Sequence, residues 1–451
     1  MSSLLYMLQD PNVQWVLIGT VLLGIASGVL GSFALLRKQS LLGDAMAHAA
    51  LPGICIAFII YGAKSMSWFL IGAAISGLIG TYCIQAVIKH SRIKEDTAIG
   101  LVLSVFFGIG IVLLTYIQQN LRGNQAGLDS FIFGQAASIV GNDVTIITTI
   151  ASILIIVTFI LFKELKLITF DPQFAQGIGL PVKWLNGLLM TLIVAAVVIG
   201  LQAVGVVLMA AMLITPAIAA RYWTERLDQM VIFAGIIGGL SGVIGTLLST
   251  ITRGMPTGPL IIIAATIVFI ISLIFGTKKG LLIKFIQHMK VQKQVTRENI
   301  ITALYELSEH SLKGSNGNKI GSFPIEKIVE GRKLNAFTIK KVIRDLRHEG
   351  LLIINAKGEL GLSPKGLKQA HTIVLKSRLL DMYLMNESKF PELSWRDQGF
   401  DLFHEQKEMV QELTQLLKAF GREPIALFLY ESKGGRKQQF HPGVKGSAGH
   451  S

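Results

Sequence analysis

Two ionisable residues stand four positions apart in a stretch that otherwise holds apolar or small side chains. Asp44 and His48 lie within the run 40–53, which continues as an apolar stretch to residue 60. Residues with this spacing share one face of an α-helix, where a carboxylate oxygen and an imidazole nitrogen supply two ligands for a first-row divalent metal ion. Ionisable residues inside a bilayer-length helix usually mark a transport pathway, since a central Asp costs about 2.5–3.5 kcal/mol to insert. The pair therefore predicts a metal pathway; the structural alternative is a histidine that hydrogen-bonds a neighbouring helix.

The composition places these residues in a membrane protein. Hydrophobic residues make up 51% of the 451 positions and charged residues 16%, whereas soluble domains carry about 25% charged residues. Apolar runs fill residues 13 to about 275, and charged residues are frequent from about 278 onward. The net charge of +14 is explained first by cytoplasmic loops that collect Lys and Arg, ahead of nucleic-acid binding.

We therefore predict an all-α polytopic membrane domain at 1–280, a linker at 281–295, a soluble domain at 296–420 and a disordered tail at 421–451. A membrane span needs about 20 helical residues. Nine spans are predicted, at 13–36, 41–61, 67–88, 97–117, 142–162, 184–201, 203–222, 231–252 and 259–275.

Basic residues predict the orientation of these spans. The clusters at 37–38, 89–94, 163–166, 221–226 and 278–279 all fall on one side of the predicted membrane, which the positive-inside rule makes cytoplasmic. We expect the N-terminus outside and the C-terminal domain inside the cell.

Glycines and prolines predict how the spans pack and bend. GxxxG spacing occurs at 24–28 and 238–242 and permits close approach of helix backbones. Pro52 and Pro216 lie inside predicted spans, which they should kink or interrupt. Broken helices of this kind are common near transporter substrate sites.

A short helix is predicted in the connection 169–181. Asp171 can cap its N-terminus, and Pro172 fits the first helical position. Gly177 and Gly179 are placed to end it. Phe174 would lie on the surface of this helix. The helix could therefore be a docking site for a partner protein, or equally a capped connector between two spans.

Four stretches resemble the permease subunits of ABC importers for manganese, zinc and iron. They are 44–53, 95–100, 171–179 and 213–220, and they occur in the family's order. The resemblance implies a type II ABC importer transmembrane fold, arranged as a homodimer or pseudo-dimer around a central pathway. It implies that Asp44 and His48 contact the metal in transit. Residues of the pathway or of its helix breaks would be Pro52, Gly53, Asp96, Thr215 and Pro216.

The same resemblance makes the segment 171–179 the coupling helix that seats in a groove of the ATPase subunit. Its residues would be Asp171, Pro172, Phe174, Ala175, Gly177 and Gly179. No Gly-Lys dipeptide, and hence no P-loop, occurs in the sequence. Hydrolysis of ATP is therefore expected in a separate ATP-binding subunit rather than in this chain, which is not expected to be an enzyme.

The other expected partners are an extracellular metal-binding lipoprotein or periplasmic binding protein, and a second permease copy or paralogue. No permanently bound cofactor is expected, because the divalent metal is cargo. An Asp/His pair from each of two protomers would give four ligands, which suit Mn²⁺, Fe²⁺ or Zn²⁺ but not Cu(I). Manganese is favoured; zinc and ferrous iron remain open.

The C-terminal part predicts three helices and a hairpin, the order of a winged helix-turn-helix. Helices are expected at 297–310, from about 324 and at 335–350, followed by strands at 351–355 and 359–362. This small cytoplasmic α+β domain resembles iron- and manganese-dependent repressors over 296–420. It departs from them at expected metal ligands, with Asn299, Thr302 and Ser377 in their place.

The third of these helices carries Lys340, Lys341, Arg344 and Arg347 away from its apolar face. These residues predict contact with DNA or with a protein partner. Tethering to a membrane makes a DNA search inefficient, so we favour dimerisation or contact with the ATPase subunit.

The favoured function is import of a divalent metal, with manganese first. A membrane-anchored, metal-responsive transcription regulator is the alternative from another class, although a sensor needs no ATPase-docking helix. An importer of metal chelates is disfavoured because a bulky chelate needs no intramembrane Asp/His pair.

Overall fold

The computed structural model describes residues 11–62, 65–120, 141–251, 255–313, 321–329, 336–386 and 407–426. The chain divides into two compact units, Met1–Phe285 and Ile286–Ser451. The expected tail lies outside the described residues from 427 onward.

The first unit is built entirely of helices over its described residues. They are α1 (Pro11–Leu36), α2 (Leu42–Tyr61), α3 (Met66–His90), α4 (Glu95–Asn120), α5 (Gly141–Ile160), α6 (Phe162–Phe170), α7 (Pro172–Gly177), α8 (Val182–Val204), α9 (Val206–Arg221), α10 (Leu227–Ile251) and α11 (Thr257–Phe275). One apolar core takes residues from all eleven helices, and the helices on its periphery expose apolar side chains. Such a surface is stable in lipid, where apolar side chains need no burial.

Eight of these helices are long and apolar enough to cross a membrane, counted over the described residues. Nine spans were expected, and the seventh of them, 203–222, is not among these eight. It is the 16-residue helix α9, which at 1.5 Å per residue is about 24 Å long, against a hydrocarbon core of about 30 Å. Gly205, at φ 94° and ψ 163°, separates α9 from α8; this backbone conformation is open to glycine and ends the preceding helix.

Neither proline interrupts its helix, and a kink at either one stays a prediction. Pro52 lies inside the continuous helix α2 and Pro216 inside α9. Membrane helices accommodate proline when neighbouring groups satisfy the freed backbone carbonyl. The break expected at residue 202, between the sixth and seventh predicted spans, lies at Gly205.

The two GxxxG segments pack against each other within this chain. A side chain at Gly24 would lie 2.3 Å from the carbonyl oxygen of Gly238, and one at Gly28 would lie 2.3 Å from that of Ala234. The backbones of α1 and α10 therefore touch. Nearby, the hydroxyls of Thr20 and Thr246 are 2.9 Å apart and hydrogen-bonded. The prediction of dense packing is confirmed.

The second unit begins within α12 (Leu281–Lys313), a continuous helix of 33 residues. The segment expected as a linker, 281–295, is the first half of this helix. The later elements are α13 (Ile325–Val329), α14 (Ala336–His348), β1 (Leu352–Ile354), β2 (Leu360–Leu362), α15 (Pro364–Met385) and α16 (Lys407–Ala419). The predicted order of three helices and a hairpin is confirmed.

The hairpin of the second unit is antiparallel, with Leu352 opposite Leu362. Phe323 adds a bridge to Leu360. Ser363 caps α15 by accepting a hydrogen bond from the backbone N–H of Gly366 at 2.9 Å, and Pro364 fills the first helical position.

Charged pairs tie α12 to the rest of this unit. Lys293 lies 2.6 Å from Asp345, and Arg297 makes two hydrogen bonds to Glu349. The hydrogen bond from Lys293 lowers the pKa of the Asp345 carboxyl below its ordinary value.

Candidate metal pathway and coupling segment

Asp44 and His48 face each other one turn apart on α2. The Nε2 atom of His48 lies 3.5 Å from Oδ1 of Asp44, and the side chains are 18% and 37% exposed, respectively. Between them on the helix, Ala45, Met46 and Ala47 are fully buried. The two polar side chains therefore lie together on the one accessible face of this turn.

The spacing of the two atoms suits ligands of one metal ion. Two ligands about 2.1 Å from a tetrahedral ion are about 3.4 Å apart, close to the 3.5 Å observed. The two atoms are too far apart for a good direct hydrogen bond. A cation could therefore bind both groups without breaking a hydrogen bond between them.

His48 does not serve as a hydrogen-bonding link between helices. Its Nδ1 atom is buried and has no hydrogen-bond partner among the residues that the structure describes. A buried polar atom without a partner is costly and calls for an explanation. This finding argues against the structural alternative for His48.

An aromatic ring from α4 packs against this histidine. The rings of Phe107 and His48 meet edge to face, with centroids 4.7 Å apart and planes at 77°. Phe107 is itself 39% exposed. It therefore holds the imidazole from the neighbouring helix while leaving the Asp44 side open.

One chain supplies an incomplete coordination sphere. The described part of the chain contains no group of three or more His, Cys, Asp or Glu residues that could hold a metal ion. Asp44 and His48 would supply only two of the ligands of a metal ion.

Three other predicted pathway residues lie outside α2: Asp96, Thr215 and Pro216. Among the described residues, none of them contacts Asp44 or His48 through a hydrogen bond or an ion pair. Asp96 is exposed in the first turn of α4. Its neighbour Glu95 accepts a hydrogen bond from Gln39 at the entry to α2. Thr215 is half-buried and Pro216 is buried in α9.

Gly53 has a packing role in this structure. A side chain there would lie 2.0 Å from the carbonyl oxygen of Gly72 in α3. Gly53 therefore lets the backbones of α2 and α3 touch one turn beyond His48, which fixes the helix that carries the pair.

The segment 171–179 forms the predicted short helix, α7. The carboxylate of Asp171 accepts a hydrogen bond from the N–H of Phe174 at 2.8 Å, and Pro172 stands at the first helical position. The helix ends at Gly177, and Gly179 follows with φ 87°. Ala175 is fully buried against the core, whereas Phe174 is exposed. The capping prediction is confirmed.

Arg37 connects this region to α1. Its guanidinium donates to Oδ1 of Asn186 in α8 at 2.6 Å and to the carbonyl of Ile168 in α6 at 3.3 Å. Asp228 of α10 binds Lys166 of α6 at 2.7 Å. The helix α6, which leads into α7, is therefore held from two sides by charged groups.

In the second unit, the four predicted contact residues of α14 are exposed. Ile339, Val342 and Leu346 of this helix are buried in the unit's core. Lys340, Lys341, Arg344 and Arg347 face solvent, as predicted from the helical period.

Comparison with known proteins decides the family. The model of the ABC 3 transport family matches residues 9–276, which is more than half of the chain. The chain belongs to the ABC 3 transport family. Its fold is that of a multi-pass membrane permease of this family.

Two relatives of this ABC 3 protein carry names that refer to manganese and to zinc. It is 52% identical over 423 residues to the "Manganese transport system membrane protein MntC" of Bacillus subtilis, covering 94% of this chain and 95% of that protein. It is 43% identical over 291 residues to the "Zinc transport system membrane protein TroC" of Treponema pallidum, covering 64% of this chain and 98% of that protein.

A solved structure supports the same fold for the ABC 3 part. The structure titled "PsaBC from Streptococcus pneumoniae in complex with Fab" matches with a TM-score of 0.55 and 32% identity, covering 62% of this chain and 97% of that chain.

Two residues that matter for the ABC 3 site were missed from sequence. Phe107 stands among many apolar residues of α4, so only its contact with His48 distinguishes it. Arg37 was counted as one residue of a basic cluster, and only its contacts with Asn186 and Ile168 distinguish it.

Proposed function

We propose that this chain is the membrane permease subunit of an ABC importer for a divalent transition metal, with manganese as the first candidate. The observation that carries the proposal is the Asp44/His48 pair, because its atoms are spaced as ligands of one ion and share the accessible face of a buried helix. The relative that matches 94% of this chain is named as a manganese transport protein, which favours manganese over zinc and ferrous iron.

The incomplete ligand set supports a dimeric permease. A second copy or a paralogue would add an Asp/His pair across the pathway and bring the number of protein ligands to four. Loose coordination suits a transit site, since the cargo must also leave.

ATP hydrolysis would occur in a separate ATP-binding subunit that docks on α7. The capped helix presents exposed Phe174, while Ala175 anchors it to the membrane unit. An extracellular lipoprotein or periplasmic binding protein would deliver the metal. The N-terminus would lie outside the cell and the second unit inside, because the basic clusters fall on one side.

For the second unit we propose a winged-helix domain that dimerises or contacts the ATPase subunit. The hairpin, the capped α15 and the exposed basic face of α14 support this reading. Specific binding of a DNA duplex by the full chain at physiological salt, lost when Arg344 and Arg347 are changed to Ala, would overturn it in favour of DNA binding.

The cargo is tested by measuring total cellular manganese, zinc and iron with elemental mass spectrometry in metal-limited cells. Cells that express His48→Ala should contain less manganese than cells that express the wild type, because one of two ligands is lost. His90→Ala is the matched control, since His90 is exposed at the end of α3 and should leave all three metals unchanged.

A fall in zinc or iron instead of manganese would reassign the cargo within the same mechanism. Unchanged levels of all three metals, with normal amounts of protein in the membrane, would remove His48 from the pathway and favour a sensing role for the membrane unit.

A further inference from the structure

The first turns of α12 expose a strip of large apolar side chains. Its members are between 44% and 62% exposed: Leu281, Leu282, Phe285, Ile286 and Met289. They recur at spacings of three and four residues and therefore share one helix face. A contiguous exposed apolar face of this kind marks an interaction surface.

The strip begins directly after the last membrane helix, α11. The connection 276–280 follows the last membrane helix and is fixed to the end of α9, because the N–H groups of Lys278 and Lys279 both donate to the carbonyl of Tyr222, at 3.1 and 3.3 Å. The indole N–H of Trp223 donates to Ser272 of α11 at 3.0 Å. Tyr and Trp concentrate at the boundary between lipid and water, so these contacts place the start of α12 at that boundary.

Cationic side chains accompany the strip. Lys278 and Lys279 precede it, and Lys284 and Lys290 lie along it; no acidic residue occurs between 276 and 297. A helix with an apolar face and lysines around it is suited to the bilayer interface, where lysines reach phosphate groups while apolar side chains enter the acyl region.

Within the second unit, α12 and α14 line a groove of about 360 Å³. Its apolar lining comes from Ile286, Met289 and Val342, and its lysines are Lys290, Lys293 and Lys341. Lys293 is paired with Asp345. An apolar floor beside lysines is complementary to an anionic amphiphile, which has the same chemistry as a phospholipid of the bilayer surface.

We propose that the first turns of α12 form an interfacial helix that docks on the anionic lipid surface next to the last membrane span. The apolar strip enters the outer acyl region and the lysines bind lipid phosphates. This docking is independent of which metal is transported.

The test uses the full chain in nanodiscs made of phosphatidylglycerol and phosphatidylcholine. After Cys55→Ala and Cys83→Ala remove the native thiols, a single cysteine carrying a bimane fluorophore is placed at Phe285 (Phe285→Cys). The matched control is Gln287→Cys, which is exposed and lies on the opposite face of the same turn. Lipids with brominated acyl chains should quench the label at position 285 strongly and the label at 287 little.

Equal, weak quenching at both positions would overturn the proposal, and so would disulfide cross-linking of Phe285→Cys between two copies in place of quenching. Replacing phosphatidylglycerol by phosphatidylcholine should reduce quenching at position 285, since the lysines then lose their anionic partner. Unchanged quenching in neutral lipid would refute the electrostatic part. The readout requires only a folded chain, which size-exclusion chromatography of each variant verifies.

Discussion

At the scale of single residues, two neighbouring side chains contact His48. Asp44 lies beside its Nε2 atom, Phe107 packs on its ring, and its buried Nδ1 atom has no partner among the described residues. The imidazole is thus oriented by a ring contact rather than by a hydrogen bond. In the proposed function, this arrangement would let a passing cation bind the Nε2 atom and the Asp44 carboxylate together.

The ring contact makes Phe107 a positioning residue. Edge-to-face aromatic pairs are worth about 0.5–1.5 kcal/mol, so Phe107→Ala should raise the KM for metal uptake by roughly two- to tenfold while leaving the protein in the membrane. Uptake kinetics with radioactive manganese measure this change. The control is Phe159→Ala, which removes an exposed ring from α5.

A KM that stays at the wild-type value in Phe107→Ala would show that the ring does not orient His48. A fall in maximal rate alone, with KM unchanged, would point to a role in movement of the cargo instead.

At the scale of elements, α7 is a short helix whose N-terminus depends on one side chain. Replacing an Asp cap by Ala typically costs about 0.5–2 kcal/mol, a large fraction of what can hold so short a helix. Asp171→Ala should therefore lower the metal-uptake rate and the ATPase activity of the reconstituted transporter together. Asp171→Asn keeps a capping side chain and is expected to retain most of both activities.

If Asp171→Ala and Asp171→Asn were equally impaired, the charge of Asp171 rather than its cap would be responsible. If neither variant were impaired, α7 would be a connector without a coupling role.

Local signals in the sequence predicted several elements correctly because their causes are local. The cap at Asp171 and the basic face of α14 follow from residues within one or two turns. The contact of Phe107 with His48 could not be predicted, because it depends on which distant helices become neighbours. At Pro52 a local helix-breaking signal does not interrupt the helix, because α2 continues through this proline within the membrane unit.

At the scale of the whole molecule, each of the two units has its own hydrophobic core, and one relative has a length that only the first unit accounts for. The zinc transport relative matches 98% of its own length but 64% of this chain. It therefore has almost no sequence left to correspond to the second unit, and the membrane unit alone has the length of that transporter.

A chain truncated after Lys313 should therefore still import metal. The membrane unit retains its own core, and none of Asp44, His48 or α7 belongs to the second unit. Uptake of manganese into metal-limited cells measures the result, with the His48→Ala full-length chain as the inactive reference. Loss of import, with normal amounts of the truncated chain in the membrane, would make the second unit an essential part of the transporter.

The contact between α1 and α10 has a consequence for biosynthesis. Gly24 and Gly238 touch through their backbones but are made far apart in time: at about 5–20 residues per second, roughly 10 to 40 s of translation separate them. During that interval the glycine face of the first helix must remain in lipid without its final partner. Completion of the membrane bundle is therefore a late, post-insertion event, and a substitution at Gly24 should act by stalling assembly after every span has already entered the bilayer.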